Sequence, residues 1–396
     1  MSKAVIIIPT YNEAENIEQT LLAVDTVRST LSKDWKLEVL IVDDTSPDGT
    51  ADVVRKISKK LPYVSLLINP KKSGLGGAYL KGMAEAFNNM DADVIFEFDA
   101  DLSHDPRKIP QFLEKIDQGY DFVLGSRYIE GGGIPDDWGA HRKFLSVVGN
   151  IIITVVLTDF SIHDWTSGYR AIKKEVYEAV KSEMNTDQFS GYTFQIGFLH
   201  KAVRRGFKIA EVPFKFVDRT FGESKLGTEY IKNTLMYILK VRIQELMKKR
   251  AFKFVMVGGL GAAIQLSSLH LFRYLIPVNH VSFLSAFQEA TLLSIETAII
   301  SNFIFSNLWT FADRKLTAVQ VPAKFLQFNL TSLGSLLIQF LISTGGEKFI
   351  GLFTLITLPI IGIEFDTGFF YAVVGILAGM FWNFFAYSKI IWRKKK

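Results

Sequence analysis

Short apolar runs recur at nearly even intervals along the first third of the chain, and stretches with helical spacing separate them. Each run has the length and composition of a buried strand. Strands that alternate with helices predict a parallel sheet with helices on both faces. The predicted strands are Ala4 to Ile8, Leu37 to Val42, Val64 to Ile68, Val94 to Phe98 and Phe122 to Gly125. The predicted helices are Glu13 to Leu31, Thr50 to Lys60, Ala78 to Asn88 and Pro106 to Gln118.

Longer apolar segments dominate the rest of the chain. Phe144 to Leu157 is apolar but broken by polar residues, and it is too short to span a bilayer. Tyr230 to Lys249 is a basic amphipathic segment, typical of a helix in the membrane interface or of a surface helix packed on its own domain. Leu352 to Ile363, interrupted by Pro359, predicts a re-entrant or extramembrane loop. Four membrane spans are predicted, namely Phe254 to Ile276, Ser285 to Phe311, Phe325 to Ser343 and Phe369 to Ile391.

Charge is distributed unevenly between these parts. The chain has 396 residues and a net charge of +5, and this excess lies entirely within residues 251–396, which also hold 19 of the 33 phenylalanines. Lysines and arginines precede the first span, separate the second from the third and follow the fourth. By the positive-inside rule, both termini are therefore cytoplasmic. The apolar run before Pro9 is too short for a secretory signal, which supports the same orientation.

Composition also excludes several classes of site. The chain has no cysteine, so disulfide scaffolds, cysteine-ligated zinc, iron–sulfur clusters and thiol catalysis are excluded. The small, localised net basicity does not resemble a nucleic-acid footprint. Glu289 and Glu296 lie seven residues apart on the second predicted span, where we expect them to face protein or water, or to be protonated. Helix association explains them better than a lipid or ion path.

Acidic residues follow three of the predicted strands. In open α/β sheets, ligands bind beyond the carboxyl ends of the strands. Asp99 and Asp101 flank Ala100, where the chain must turn for both carboxylates to reach one ligand, because side chains alternate along a strand. Oxygen ligands of this kind suit Mg²⁺ or Mn²⁺, which keeps positions open for substrate phosphates.

A metal site of this kind implies an anionic substrate, and basic residues later in the chain are candidates to clamp it. These are Arg127, Arg219 and Lys225, with Arg142 a weaker candidate. Arginine offers a planar fork to phosphate oxygens, and lysine offers a point charge. An ordinary surface ion pair is the alternative for each of them.

A set of motifs in order over residues 4 to 227 resembles the dolichol-phosphate mannose synthase family. They are Pro9-Thr10-Tyr11-Asn12-Glu13, Asp43-Asp44-Thr45-Ser46-Pro47-Asp48-Gly49-Thr50, Gly74-Leu75-Gly76-Gly77-Ala78, Asp99-Ala100-Asp101-Leu102-Ser103-His104, Gly125-Ser126-Arg127-Tyr128, Ser167-Gly168-Tyr169-Arg170, and Asp218-Arg219 with Gly222-Glu223-Ser224-Lys225. By hydropathy and spacing, the four-span remainder is similar to the GtrA-like membrane domain fused to some of these enzymes.

The resemblance implies an α/β fold: a GT-A (Rossmann-like, nucleotide-sugar-binding) catalytic domain at 1–227, an amphipathic interface helix or linker at 228–250, and a GtrA-like transmembrane domain at 251–396. It implies inverting transfer of mannose from GDP-mannose to dolichyl or polyprenyl phosphate at the cytoplasmic membrane face. A homo-oligomer through the transmembrane domain is a further expectation.

The resemblance also assigns residues. It gives donor binding to Pro9, Tyr11, Glu13, Ile41, Asp43, Asp99, Ala100, Asp101, Arg127, Arg219 and Lys225. It gives catalysis to Asp99, Asp101, Arg127, Arg219 and Lys225, and the metal, Mg²⁺ or Mn²⁺, to Asp99, Asp101 and Ser103.

Three positions raise questions of their own. The family commonly has glycine where Thr45 stands, and because a left-handed turn would strain threonine, we expect the local loop to differ. Relatives often have glutamine in place of Ser103, whose hydroxyl is a shorter and weaker ligand. His104 could contact the donor, but a helix-start hydrogen bond is the favoured role.

Other functions fit parts of the sequence. A related transferase could use UDP-glucose on the same lipid, and a lipid-binding or flipping protein could carry a relic transferase domain. The intact acidic and basic candidates weigh against the relic. The lack of a Gln-x-x-Arg-Trp motif disfavours a processive polysaccharide synthase. A dinucleotide-binding domain is disfavoured because the first strand leads into Pro-Thr-Tyr-Asn-Glu rather than a glycine-rich turn.

Overall fold

The computed structural model describes residues 1–184, 192–218, 228–276, 286–351, 353–358 and 363–393. The chain forms two compact units, Met1–Arg242 and Ile243–Lys396. The unit boundary lies inside one helix, Thr228–Lys248. The bounds of the domains and of the linker between them stay predictions.

The first unit is built on a seven-stranded sheet of order β3-β2-β1-β4-β6-β5-β7. All five predicted strands are present. The sheet is mixed, because β6 runs antiparallel to both of its neighbours. The five predicted strands run in one direction, as expected. The two strands that the sequence did not predict are β6 and β7. The strands are β1 Ser2–Thr10, β2 Trp35–Asp43, β3 Val64–Ile68, β4 Val94–Glu97, β5 Phe122–Ser126, β6 Arg170–Lys173 and β7 Ile209–Pro213.

Alternation along the strands gives the first unit two cores, one on each face of the sheet. Along β1, Val5 and Ile7 enter one core, whereas Ala4, Ile6 and Ile8 enter the other. Both faces are buried, and this explains why the strands are continuous apolar runs rather than alternating ones.

Helices cover both faces of this sheet. Helices α1, α2 and α4 contribute to one core, and α3, α5, α6 and α7 contribute to the other. The first predicted helix is shorter than expected, and the third begins four residues earlier, within the glycine-rich motif. The helices are α1 Ile17–Arg28, α2 Thr50–Ser58, α3 Gly74–Asn88, α4 Ile109–Asp117, α5 Ala140–Leu157, α6 Lys174–Val180, α7 Tyr192–Arg204 and α8 Thr228–Lys248.

Helix α5 differs from its prediction. It begins at Ala140 and has 18 residues, so it is long and apolar enough to cross a membrane by length and composition. The expectation that this segment is too short is therefore wrong. One side of α5 is buried in the first unit through Asn150, Ile153 and Leu157.

The second unit is helical. Its four long helices are α9 Arg250–Leu275, α10 Ala286–Phe305, α11 Val321–Phe349 and α12 Thr367–Ala386. A hairpin of β8 Thr354–Leu358 and β9 Ile363–Asp366 precedes α12 and replaces the predicted loop. An aromatic cluster forms the core at one end, where Phe311 stacks on Trp392 at 4.5 Å between ring centroids. The indole of Trp392 donates to the Asn307 side chain at 3.1 Å.

Two of these four helices, α9 over Arg250–Phe272 and α11, meet the same length and composition criterion as α5 among the described residues. Helices α10 and α12 occupy the second and fourth predicted spans. On α10, Glu289 is half-buried and Glu296 is exposed on the surface of the unit. The number of membrane crossings stays a prediction.

Candidate active site

The acidic motif lies at the carboxyl end of the central strand β4, and the predicted turn at Ala100 is present. The Thr20 hydroxyl of α1 donates to the Ala100 carbonyl at 2.6 Å. The Asp101 carboxylate accepts the backbone N–H of Ser103 at 3.1 Å. Asp99 is 37% exposed and Asp101 is half-buried, so both reach the surface at this edge.

His104 lies beneath Asp99 and is almost fully buried. Its Nδ1 accepts the backbone N–H of Asp99 at 3.1 Å, and its Nε2 is 3.5 Å from the Asp99 carboxylate. Burial lowers the pKa of His104, against the opposing effect of Asp99 and Asp101, so the ring is neutral near pH 7. With Nδ1 accepting, the proton is on Nε2 and faces Asp99. The predicted helix-start bond is made instead by Asp105, which accepts the N–H of Arg107.

Three non-glycine residues near this edge have a left-handed backbone. Asn12 follows β1, Thr45 follows β2 and Leu102 follows β4, with φ of 59°, 55° and 60°. Threonine in this conformation is strained, and such residues cluster at functional sites. Thr45 thus adopts the left-handed conformation, and the expected difference of its loop from that of the family stays a prediction. The Thr45 hydroxyl donates to the Asn69 carbonyl at 2.6 Å, which helps to hold the turn.

The predicted donor-binding residues surround β1 and β2. Pro9 and Tyr11 are half-buried, and the ammonium of Lys72 lies 3.4 Å from the centre of the Tyr11 ring. The Glu13 backbone N–H donates to Thr50, and its carboxylate accepts from Asn16.

Ile41 and Asp43 are more deeply buried than a direct contact with a donor suggests. Ile41 is in the core. Asp43 is 1% exposed, and it accepts hydrogen bonds from the hydroxyls of Thr10 and Ser46 and from the Ser46 backbone. Asp43 thus ties the ends of β1 and β2 together. The donor assignments of both residues stay predictions.

Arg127 follows β5 and is held by an aspartate that sequence reasoning missed. Its Nε and Nη2 donate to the two oxygens of Asp164 at 2.7 and 2.8 Å, and its backbone N–H donates at 3.0 Å. Asp164 is fully buried and the Arg127 side chain is 9% exposed. Nothing local in Ile162-His163-Asp164-Trp165 signals this role, because the partner lies 37 residues away in the sequence.

The other basic candidates differ in how far they can be placed. Arg142 forms a two-pronged ion pair with Asp218 and lies 3.8 Å from the centre of the Trp138 ring. Arg219 and Lys225 lie outside the described residues. Of the three predicted phosphate-binding cations, only Arg127 lies within the described residues.

A second buried ion pair lies under the acidic motif. Glu97 and Arg170 are both fully buried, and Arg170 Nε is 3.6 Å from the Glu97 carboxylate. Burial raises the pKa of Glu97 to about 7, with Arg170 opposing and Asp99 adding to the rise. Arg170 also donates to the backbone carbonyls of Ser167 and Gln195. Arg170 ends the Ser-Gly-Tyr-Arg motif and begins β6, which pairs with β4 so that Arg170 lies opposite Glu97.

The acidic edge fits a divalent ion that shares its coordination with a substrate. Within the described residues, no group of three or more acidic or histidine side chains could hold a metal ion. Asp99 and Asp101 supply two carboxylates, and Mg²⁺ commonly takes its other ligands from water and phosphates. The Ser103 hydroxyl is buried without a hydrogen-bond partner in the described part of the chain. Its role as a third ligand stays a prediction.

Comparison with known proteins covers both units. Residues 5–181 match the glycosyl transferase family 2 model, and residues 253–392 match the model described as GtrA/DPMS, transmembrane domain. The dolichol-phosphate mannosyltransferase of Pyrococcus furiosus is 33% identical over 345 residues, which is 86% of this chain and 89% of that protein. The undecaprenyl-phosphate mannosyltransferase of Micrococcus luteus is 37% identical over 57% of this chain and 88% of that protein.

Other relatives match a smaller share of this chain than the Pyrococcus protein does. The polyprenol monophosphomannose synthase of Mycolicibacterium smegmatis is 35% identical over 60% of this chain and 85% of that protein. Among solved structures, glucosyl-3-phosphoglycerate synthase of Mycobacterium tuberculosis with Mn²⁺ and uridine-diphosphate-glucose matches with a TM-score of 0.45 and 16% identity, over 61% of this chain and 79% of that one.

Proposed function

The chain belongs to the dolichol-phosphate mannosyltransferase family, and we propose that it transfers mannose from GDP-mannose to dolichyl or another polyprenyl phosphate. The product, a polyprenyl-phosphate mannose, would supply glycosylation reactions. One observation carries the proposal: the Pyrococcus relative aligns over 345 residues. That length exceeds the first unit, so the likeness includes membrane-domain sequence as well as the catalytic part.

In this proposal the work is divided along the chain. Residues 1–227 form the catalytic domain, 228–250 an interface helix or linker, and 251–396 a membrane domain with four spans. The nucleotide binds at Pro9, Tyr11, Glu13, Ile41 and Asp43. The diphosphate and a divalent ion bind at Asp99, Ala100 and Asp101, and Arg127, Arg219 and Lys225 also bind the diphosphate.

The acceptor needs little activation. A phosphate monoester has a second pKa near 6 and is mostly dianionic at neutral pH, so it is already a nucleophile. A strong general base is therefore unnecessary. The protein must position the two substrates, neutralise charge on the departing diphosphate and exclude water. Attack on the face opposite the diphosphate inverts the anomeric carbon.

The protein's own residues have distinct tasks in this scheme. Asp99 and Asp101 hold the ion, which supplies charge neutralisation when bound. Neutral His104 and Thr20 hold the Asp-Ala-Asp turn in place. Arg127 presents a fixed cation to the diphosphate, because Asp164 fixes its guanidinium.

The membrane placement follows from the acceptor. Each buried CH₂ contributes about 0.8 kcal/mol to partitioning, so a long polyprenyl tail stays in the bilayer and only its phosphate reaches the enzyme. We place the site at the cytoplasmic face, with both termini cytoplasmic and α5 and α8 at the interface. A homo-oligomer would form through the membrane domain.

A donor panel tests the proposal. Purified protein in detergent would receive polyprenyl phosphate, Mg²⁺ or Mn²⁺, and radiolabelled GDP-mannose, UDP-glucose or other nucleotide-sugars, with a chelator control. We expect label in the lipid product from GDP-mannose, with inverted anomeric configuration, and loss of transfer with chelator. Transfer from UDP-glucose instead would reassign the sugar. Lipid binding without transfer from any donor would support the relic-domain alternative.

A further inference from the structure

Helix α5 has two faces of opposite character. Its outer face exposes large apolar side chains, Phe144, Leu145, Ile151, Ile152 and Val155. Its inner face follows the helical repeat through Ser146, Asn150, Ile153 and Leu157, which are buried or half-buried. The two polar members of the inner face, Ser146 and Asn150, lie one helical turn apart.

Asn150 is the centre of a hydrogen-bond network on this inner face. It is 4% exposed. Its side-chain oxygen accepts the backbone N–H of Trp165 at 2.8 Å. Its amide nitrogen donates to the Ser146 carbonyl at 3.0 Å and to the Thr166 hydroxyl at 3.3 Å. Both the carbonyl oxygen and the amide nitrogen of the buried Asn150 side chain therefore have hydrogen-bond partners.

The same network reaches the candidate diphosphate clamp. Arg127 Nη2 donates to the Thr166 hydroxyl at 2.7 Å, next to its bonds with Asp164. The following residue, Tyr128, shares a hydrogen bond of 2.6 Å with the Ser146 hydroxyl. Two separate contacts therefore join the inner face of α5 to the Arg127-Tyr128 segment.

We propose that Asn150 is a positioning residue for Arg127. It fixes the segment Trp165-Thr166 to α5, and the Thr166 hydroxyl then sets the outer edge of the Arg127 guanidinium. Asp164 holds the Nε and Nη2 side of the fork, and the Thr166 hydroxyl adds a further hydrogen bond to Nη2. The helix with the exposed apolar face and the cation at the site thus share one network. This inference rests on the proposed role of Arg127 at the diphosphate.

Nucleotide binding tests this without requiring transfer. The dissociation constants of GDP and GMP would be measured by calorimetry with Mg²⁺, using full-length protein in detergent. The ratio of the two constants reports contacts with the second phosphate, whereas GMP binding alone reports the nucleoside and first phosphate. Thr166→Val removes the hydroxyl that bonds to Arg127, Asn150 and Asp164. We expect the lost bond to Arg127 to lower the preference for GDP about 3- to 10-fold, with GMP binding unchanged.

Matched variants separate positioning from general damage. Thr166→Ser keeps the hydroxyl and should keep the parental ratio. Thr154→Val makes the same substitution at a half-buried position of α5 outside the network and should change nothing. Asn150→Ala should lower the ratio by no more than Thr166→Val does, and the double variant should match Thr166→Val, because Asn150 acts on Arg127 through the Thr166 hydroxyl.

Specific results would overturn the inference. A parental GDP-to-GMP ratio in Thr166→Val, in protein with a parental melting temperature, would show that the network does not position the clamp. Multiplying effects in the double variant would do the same. A parental ratio in a folded Asn150→Ala variant would also overturn the inference. If Asn150→Ala fails to fold, Asn150→Ser is measured in its place. If the parent binds neither guanine nucleotide, the proposed donor is wrong and the UDP and UMP pair replaces it; a parent that binds diphosphates no better than monophosphates contradicts both proposals.

Discussion

The two sides of the candidate site are built in opposite ways. On the acidic side, Asp99 and Asp101 stand on a tight turn held mainly by hydrogen bonds to its backbone, and their side chains reach the surface. On the basic side, Arg127 is nearly buried and already paired with the fully buried Asp164. Carboxylates that bind a metal ion must reach the surface, because the ion also binds substrate phosphates. A long arginine side chain must instead be held in one orientation before it can bind a phosphate with its planar fork.

This difference implies different costs for mutation. Removing a ligand from the acidic side should remove activity and leave the fold almost intact. Removing the partner from the basic side leaves a charge with little access to water, so it should destabilise the first unit.

The largest expected effect is on stability and comes from the basic side. Asp164→Ala should lower the free energy of unfolding by about 3–5 kcal/mol, because it removes the buried carboxylate that pairs with the nearly buried Arg127. Denaturant titration in detergent measures this. Glu178→Ala, which removes a half-exposed ion pair with Lys181, should cost below about 1 kcal/mol. Equal costs for the two variants would mean that Asp164 is not the anchor of the basic side.

Next in size is the loss of activity on the acidic side. Asp101→Ala should lower kcat about 10²- to 10³-fold, the range for removing one group that stabilises charge in the transition state. Its unfolding curve should match that of the parent. The control is Asp52→Ala on an exposed surface, where Asp52 pairs only with Arg55 three residues on. Transfer at the parental rate by Asp101→Ala would show that the metal assignment is wrong.

A smaller, pH-dependent effect on the free energy of unfolding is expected from Glu97, which is buried under the acidic turn. Because burial raises the pKa of Glu97 to about 7 from 4.5, the folded state holds a proton that the unfolded state loses first. The stabilisation is present below pH 4.5 and is lost as pH rises toward 7. Glu97→Gln should equal the parent at acid pH and, above pH 7, exceed its free energy of unfolding by up to about 3 kcal/mol.

Unfolding of parent and Glu97→Gln at several pH values, with chelator present, makes this comparison. A stability difference that is constant from pH 4.5 to 8 would mean that Arg170 keeps Glu97 ionised throughout.

The smallest expected effect concerns the support of the acidic turn. Thr20→Val removes the hydrogen bond to the Ala100 carbonyl and should cost about 1 kcal/mol, with a modest fall in kcat. Thr26→Val is the matched control, because the Thr26 hydroxyl is exposed and bonds only within its own helix. A Thr20→Val enzyme with parental stability and kcat would show that the Asp99-Ala100-Asp101 turn does not depend on the Thr20 hydrogen bond.

The sequence predicted the acidic side better than the basic side, for a physical reason. Strand ends and the Asp-Ala-Asp turn are local features, and local patterns are readable. Asp164 and Thr166 contact Arg127 across 37 and 39 residues. Contacts of that length depend on how α5 folds back on the sheet, which no local pattern records.

The missed strands have a similar explanation. β6 begins at the fully buried Arg170 and has only four residues, so a charged residue stands where the pattern requires an apolar one. Glu97 and the backbone carbonyls of Ser167 and Gln195 compensate for the burial of this charge. The apolar pattern of α5 begins at Phe144, but the helix begins four residues earlier, at Ala140, because His141, Arg142 and Lys143 are also helical.

The most direct test of the central claim is transfer in a membrane. Proteoliposomes that contain the purified protein and polyprenyl phosphate would receive GDP-mannose labelled in the sugar, with Mg²⁺ or with chelator, and the organic extract would be counted. We predict that label enters the organic phase only when both metal and polyprenyl phosphate are present. Label that remains entirely in water under those conditions would contradict the proposal that this chain joins a soluble sugar donor to a membrane-anchored phosphate.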